Sequence, residues 1–127
     1  MKLVYEEMTH VIIGAAMRVH SFLGNGFQEV IYQRALALEL INTDFEFSRE
    51  VEMPIYYRNF EKPIGTRRVD FIVEETVLVE LKAVSALETV HHAQVLNYLK
   101  VYRLPVGLLI NFGESSLSFK RFIRRNT

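Results

Sequence analysis

The sequence predicts an α/β or α+β domain, a β-sheet with helices packed on it, and three observations predict it. Apolar residues near the N-terminus recur at helical spacing, β-branched and aromatic residues take over from about residue 49, and a further helical stretch precedes two short apolar runs. In chain order the elements read α-α-β-β-β-α-β-β.

The first helix is predicted from Thr9 as its cap, with Ile12, Ile13, Ala16, Val19 and Leu23 on one stripe and Gly24 and Gly26 closing it. A second helix runs from about Phe27 to Ile41, and a strand lies around Arg49 to Arg58. Residues 69–83, VDFIVEETVLVELKA, read as two more strands. Ser85-Ala86-Leu87-Glu88 has the form of a capping box, so a third helix should start there and continue to about Tyr102, with Pro105 beyond it. PVGLLINF suits a buried strand, and LSFKRFI alternates like a last strand at a sheet edge.

Length and composition bound the function. The 127 residues, 50% hydrophobic and 24% charged, suit a single domain over 1–127 with a real core. Lys plus Arg equals Asp plus Glu at 15 each, so no overall field draws the chain to polyanions, and a nucleic-acid site must be a local patch. The lack of cysteine removes disulfides, thiolate nucleophiles and cysteine zinc sites, and fits a cytoplasmic protein. VIIGAA at 11–16 is too short to span a membrane, and Arg18 and His20 flank it badly for a signal peptide.

The apolar stretch at 69–83 contains Asp70, Glu80 and Lys82, and buried charges need partners or a metal. A three-residue turn at Glu74, Glu75 and Thr76 puts Val73 opposite Val77, Phe71 opposite Val79 and Val69 opposite Leu81, one wholly apolar face. The other face then carries Arg68, Asp70 and Ile72 against Leu78, Glu80 and Lys82, with Asp70 opposite Glu80. A two-residue turn would mix polar and apolar residues on both faces, so the pattern selects the odd loop, although it lacks the usual glycine. Opposed residues have Cβ atoms about 4.5–5.5 Å apart, close enough for two carboxylates to share a hard cation such as Mg²⁺ or Mn²⁺. Lys82 lies on the same face, roughly 6.6 Å further along. There an ammonium could hold water or steady charge on a phosphoryl oxygen. A cross-strand charge network facing water is the competing explanation.

Asp70, nine intervening residues and then Glu80-Leu81-Lys82 resemble the core of the PD-(D/E)XK nuclease superfamily, with Val69 where the name has proline. Gly26-Phe27-Gln28-Glu29-Val30-Ile31-Tyr32 is similar to the signature of the GxxExxY protein family, a branch of that superfamily, and ALALEL, VELKAV and HHAQVLNYLK extend the resemblance along nearly the whole chain. The resemblance implies a restriction-endonuclease-like α/β core, a central mixed sheet flanked by helices. It also implies Mg²⁺- or Mn²⁺-dependent hydrolysis of phosphodiester bonds, in DNA before RNA. Asp70 and Glu80 would bind metal with the Leu81 carbonyl, and Lys82 would orient or activate water.

Glu29 lies with Tyr32, Leu36 and Leu40 on one stripe of the second helix. The resemblance gives it a supporting role at the metal; a rim position or backbone donors at the helix start explain it equally. Gln94 and Tyr98, four apart, resemble a Q-x-x-x-Y element that lines such sites, and a helix-to-sheet hydrogen bond beside an aromatic core residue would also account for them. Adjacent His91 and His92 point about 100° apart and form no zinc clamp. His91 is nearer the Gln94 face and could meet substrate, though a solvated or core histidine is the stronger reading. Tyr32, of the signature, and Arg68, on the carboxylate face, join the candidates for site support. Lys120, Arg121, Arg124 and Arg125 read as a solvated basic tail. Nucleic acid is thus the expected partner, a homodimer would let two sites address two strands, and no membrane is involved. The alternative function is a non-catalytic binding or assembly module that keeps the fold, for which the zero net charge and small size speak.

Overall fold

Burial of the N-terminal stripe organises α1 (Lys2–Leu23), whose Ile12, Ala15, Ala16 and Val19 are buried. The computed structural model describes residues 2–124, with side chains from residue 5. Thr9 does not cap this helix. It sits within α1, fully buried, and its hydroxyl donates to the Glu6 carbonyl at 3.1 Å, the local bond a mid-helix threonine makes when water is out of reach. Gly24 (φ 70) and Gly26 (φ 113) end the helix as expected, in left-handed conformations that need no Cβ. Gln28 stays extended, so α2 (Glu29–Ile41) starts two residues later than predicted and buries Tyr32, Leu36 and Leu40.

The strands are β1 (Phe47–Ile55), β2 (Gly65–Val73), β3 (Val77–Lys82), β4 (Val106–Asn111) and β5 (Ser118–Ile123), in sheet order β1-β2-β3-β4-β5. Only β3 and β4 pair in parallel, which requires a crossover. That crossover contains α3 (Thr89–Tyr102). The predicted mixed sheet flanked by helices is therefore present, and β5 is an edge strand. The first strand ends earlier than predicted, leaving Tyr56–Arg58 in the β1–β2 loop.

The predicted capping box is displaced. Ser85 precedes the helix, Glu88 is the cap residue of α3, and its backbone N–H donates to His91 Nδ1 at 2.9 Å. Histidine thus takes the reciprocal role that Glu88 was expected to play.

The β2–β3 turn has the predicted three-residue length, with Thr76 N–H donating to the Val73 carbonyl at 3.0 Å. Without glycine, Glu74 and Glu75 both adopt φ 52. Tertiary bonds hold Glu74 there: its N–H donates to the Glu46 carbonyl at 2.8 Å, and its carboxylate accepts the Glu46 N–H at 2.6 Å. The ladder pairs Val73↔Val77, Ile72↔Leu78 and Phe71↔Val79, then stops. The expected pairs Asp70↔Glu80 and Val69↔Leu81 are absent. On its other side β2 also lacks a pair at Asp70, since the β1 ladder passes from Arg49↔Phe71 to Val51↔Val69, with Glu50 at φ 50 between them.

The sheet separates two apolar cores, and the interruption moves Val69 from one to the other. Phe71, Val79 and Leu81 pack with Ile12, Leu36 and Leu40 beneath α1 and α2. Val69 does not join them: with Leu78, Val95, Leu99 and Leu109 it packs beneath α3. The wholly apolar face predicted through Val69 therefore ends at Phe71. β4, covered on both faces, is buried throughout. No helix among the described residues is long and apolar enough to cross a membrane.

Beyond β4, buried Asn111 ties the exits of the two parallel strands. Its Oδ1 accepts from Val84 N at 3.0 Å and Gly113 N at 3.1 Å, while Nδ2 donates to the Val84 carbonyl at 2.9 Å and to Glu114 Oε2 at 2.7 Å. A Cβ on Gly113 would meet the Val84 backbone, which cannot yield as a side chain could. Gly113→Ala is expected to destabilise the protein by about 1–3 kcal/mol, whereas Gly65→Ala, which meets nothing within 4 Å, should stay within about 0.5 kcal/mol; urea unfolding of the two variants checks the difference.

Candidate active site

Asp70 takes the place of a ladder bond. Its Oδ2 accepts the Leu81 N–H at 2.8 Å, and its own N–H points to Glu80 Oε1 at 3.4 Å. β2 and β3 therefore part at the residues that carry charge, and the two carboxylates come within hydrogen-bonding reach of each other. Glu80 is 6% exposed. Lys82 Nζ lies 3.9 Å from Glu80 Oε2, and both side chains are largely buried.

Burial and then the neighbouring Asp70 charge push the Glu80 carboxyl up to about 8, only partly opposed by Lys82. At neutral pH Glu80 keeps a proton that it can share with Asp70. A cation placed between them would reverse that preference.

Gln33 supports the pair, and sequence reasoning missed it. Its Nε2 donates to Asp70 Oδ1 at 2.7 Å, and its Oε1 accepts from Arg49 at 3.0 Å, which fixes which end of the amide faces the acid. Both Asp70 oxygens thus have a donor. The available signal was spacing: Gln33 follows Glu29 by four residues and shares its stripe, a lone amide among buried apolar residues.

Arg67, not Arg68, turns toward the site. Its Nε donates to the Tyr98 hydroxyl at 2.6 Å, with the guanidinium 4.8 Å from the ring centroid. Arg68 is exposed and pairs with Glu52 at 3.4 Å, contrary to the predicted register, because the interruption at Asp70 reverses the facing of the residues before it. Burial raises the Tyr98 pKa, as the nearby Glu80 also does while Arg67 opposes it. Tyr102, one turn on, is pushed up to about 12 chiefly by burial and holds the Val51 and Arg67 carbonyls at 2.6 and 2.8 Å.

Glu29 stands exposed at the start of α2, at the rim of the site. Partial desolvation raises its pKa; Lys82, the Ala83 amide and His91 pull the other way, and Asp70 adds to the rise. These couplings place it beside the pair without burying it. Gln94 Oε1 is buried with no hydrogen-bond partner among the described residues. His91 is engaged in the α3 cap, and His92 rests against Phe122 at 5.7 Å. Tyr32 is not part of the carboxylate site. It stacks on Phe112 at 4.6 Å, donates to the Gly24 carbonyl at 2.5 Å and accepts the Phe27 N–H at 3.2 Å, bracing the α1–α2 turn. Lys120 and Arg121 lie on β5, two strands from β3, and Arg125 lies outside the described residues.

Among the described residues no group of three or more His, Cys, Asp or Glu forms a ready-made metal cage. The donors at hand are two hard carboxylates, a set that suits an ion retaining water and backbone oxygen ligands, as Mg²⁺ does.

The raised Glu80 pKa has a consequence for stability. Unfolded glutamate releases its proton near 4.5, the native residue near 8, so the native state binds more protons across that interval. The Glu80 contribution to stability is full below pH 4.5 and is lost as pH rises toward 8. In metal-free buffer, urea unfolding at pH 5 and pH 8 should show wild type losing on the order of 3 kcal/mol more than Glu80→Gln; parallel pH profiles would contradict this.

A family model of the PD-(D/E)XK nuclease superfamily matches residues 6–125. The fold is similar to that in the crystal structure of SSO0001, with a TM-score of 0.58 and 20% identity, over 77% of this chain and 50% of that one. The chain thus spans about half the length of that protein, and at this identity the likeness concerns fold alone. No curated protein matches the chain. With the family match covering nearly all of its length, and the strand order and acidic hairpin in agreement, the chain belongs to the PD-(D/E)XK nuclease superfamily.

Proposed function

We propose that the chain is a nuclease of the GxxExxY branch that hydrolyses phosphodiester bonds of nucleic acid, DNA before RNA, with Mg²⁺ or Mn²⁺. The observation that carries this is the convergence of Asp70 and Glu80 where β2 and β3 part, with Lys82 at 3.9 Å from Glu80. A sheet needs no such pair for its own stability, since two close carboxylates repel unless protonated or bridged. The branch assignment draws support from what each signature residue does: Gly26 turns the chain at φ 113, Tyr32 braces that turn, and Glu29 begins the helix at the site rim.

Asp70 and Glu80, completed by the Leu81 carbonyl, would hold the ion, and Glu29 would reach it through water. When bound, the ion supplies a Lewis acid for the scissile phosphate and lowers the pKa of water. Gln33 and the Leu81 amide keep the Asp70 carboxylate in one orientation. Glu80 would have to be ionised to hold such an ion. Lys82 orients the attacking water or offsets charge growing on phosphoryl oxygen. Arg67, held over Tyr98, reaches toward a flanking phosphate, and Gln94 offers its unpartnered oxygen to a donor in the site. The lack of cysteine supports work in the reducing cytoplasm.

Incubation of DNA and RNA oligonucleotides with Mn²⁺ should give hydrolysis by wild type. Glu80→Ala should reduce it to background and Lys82→Ala by at least about 100-fold. Nucleic-acid or partner binding with no hydrolysis, unchanged in Glu80→Ala, would instead identify a non-catalytic assembly module.

A further inference from the structure

β2 leads back from Asp70 to a loop with an uncommon surface. Residues 56–64 join β1 to β2, and Tyr56, Tyr57, Phe60 and Ile64 expose 54%, 51%, 66% and 70% of their area. Isolated exposed aromatics are ordinary; several in one loop mark a contact surface. The loop is also ordered in a specific way. Phe60 N–H donates to the Tyr57 carbonyl at 3.2 Å, and the rings of these two residues lie 12° from parallel with centroids 6.2 Å apart. Between them Arg58 adopts φ 50, and its guanidinium sits 5.2 Å from the Tyr57 ring centroid. A left-handed non-glycine residue is uncommon, and here it sets the turn that brings the two rings together.

We propose that the β1–β2 loop is a stacking platform for unpaired bases of a nucleic-acid strand, with Arg58 and Lys62 on its phosphates, a role that rests on the nuclease function above. Aromatic faces accept any base, and flanking cations hold the backbone. The loop carries Arg58 and Lys62 against Glu61 alone, and Arg67 continues the positive charge toward the carboxylates. Gly65 to Asp70 is five residues of strand, about 17 Å, roughly the length of five stacked nucleotides at 3.4 Å each. A nucleic-acid strand followed along β2 would lead from the loop toward the carboxylates. A paired duplex hides its base faces from the rings, so the substrate class is a single strand or an unpaired end.

Fluorescence anisotropy in metal-free buffer, with a labelled 15-nucleotide single strand and a blunt duplex, tests this on the full chain. The double variant Tyr57→Ala, Phe60→Ala should bind the single strand at least about 10-fold more weakly, and Tyr57→Phe, Phe60→Tyr should restore the affinity. Because the chain has no tryptophan, Phe60→Trp adds a single reporter whose emission should be quenched by the single strand and not by the duplex. This reporter decides the matter even where the alanine variant fails to fold. Unchanged affinity in a folded alanine variant, or unquenched Phe60→Trp in the bound complex, overturns the platform. Had the rings served a protein partner instead, that is the result obtained. If wild type still hydrolyses nucleic acid with Mn²⁺ in that case, the nuclease function stands and the platform alone falls; if wild type binds no oligonucleotide the platform falls, and if it also hydrolyses none with Mn²⁺ both fall.

Discussion

A backbone amide given to a side chain shapes this molecule. Leu81 N–H, which a regular β2–β3 ladder would spend on a carbonyl, goes to Asp70 Oδ2 instead. The strands part there and the alternation of faces breaks. Phe71 stays with the core under α1 and α2, while Val69 passes to the core under α3. The sheet lies between the two cores, and Glu80, on one of its central strands, is almost completely buried. Backbone groups removed from water need partners, and Asp70 meets that need while directing its other oxygen toward Gln33. The same residue thus repairs the sheet and opens the site.

The surrounding architecture keeps this opening from collapsing or spreading. β3 and β4, parallel and buried, set Lys82 beside Asn111 in register. Asn111 then grips Val84 by both its N–H and its carbonyl, close to the segment from which the Ala83 amide reaches Glu29. On the opposite side Arg49, Gln33 and Asp70 form a chain of donors and acceptors from the surface inward. A buried carboxyl raised to about 8 is costly as an anion. Its presence is explained by function better than by packing.

Much of this was legible in the sequence, and the misreadings share a cause. Period-two alternation and turn length were enough to fix the hairpin at Glu74, Glu75 and Thr76, since a slip of one residue would have exposed the apolar face. Element order followed from periodicity and glycine stops. Alternation failed beyond Asp70, where Val69 and Arg68 were assigned to the wrong faces, because a side chain entering the ladder leaves no mark on the pattern. Ser85-x-x-Glu88 satisfies the capping-box rule and Glu88-x-x-His91 does not, so the box that forms was not visible in the sequence. Gln33 and the Tyr32 hydroxyl were missed for a further reason: their partners, Asp70 and the Gly24 carbonyl, are set by tertiary placement and not by a repeat.

The central claim is that Asp70 and Glu80 form a site for a hard divalent cation, and calorimetric titration of Mn²⁺ and Mg²⁺ at pH 7 tests it most directly. Wild type should bind in buffers of different ionisation enthalpy with release of a proton as Glu80 ionises, and the Asp70→Ala, Glu80→Ala double variant should bind neither ion. Failure of wild type to bind at millimolar concentration, or equal binding by the double variant, would contradict the account.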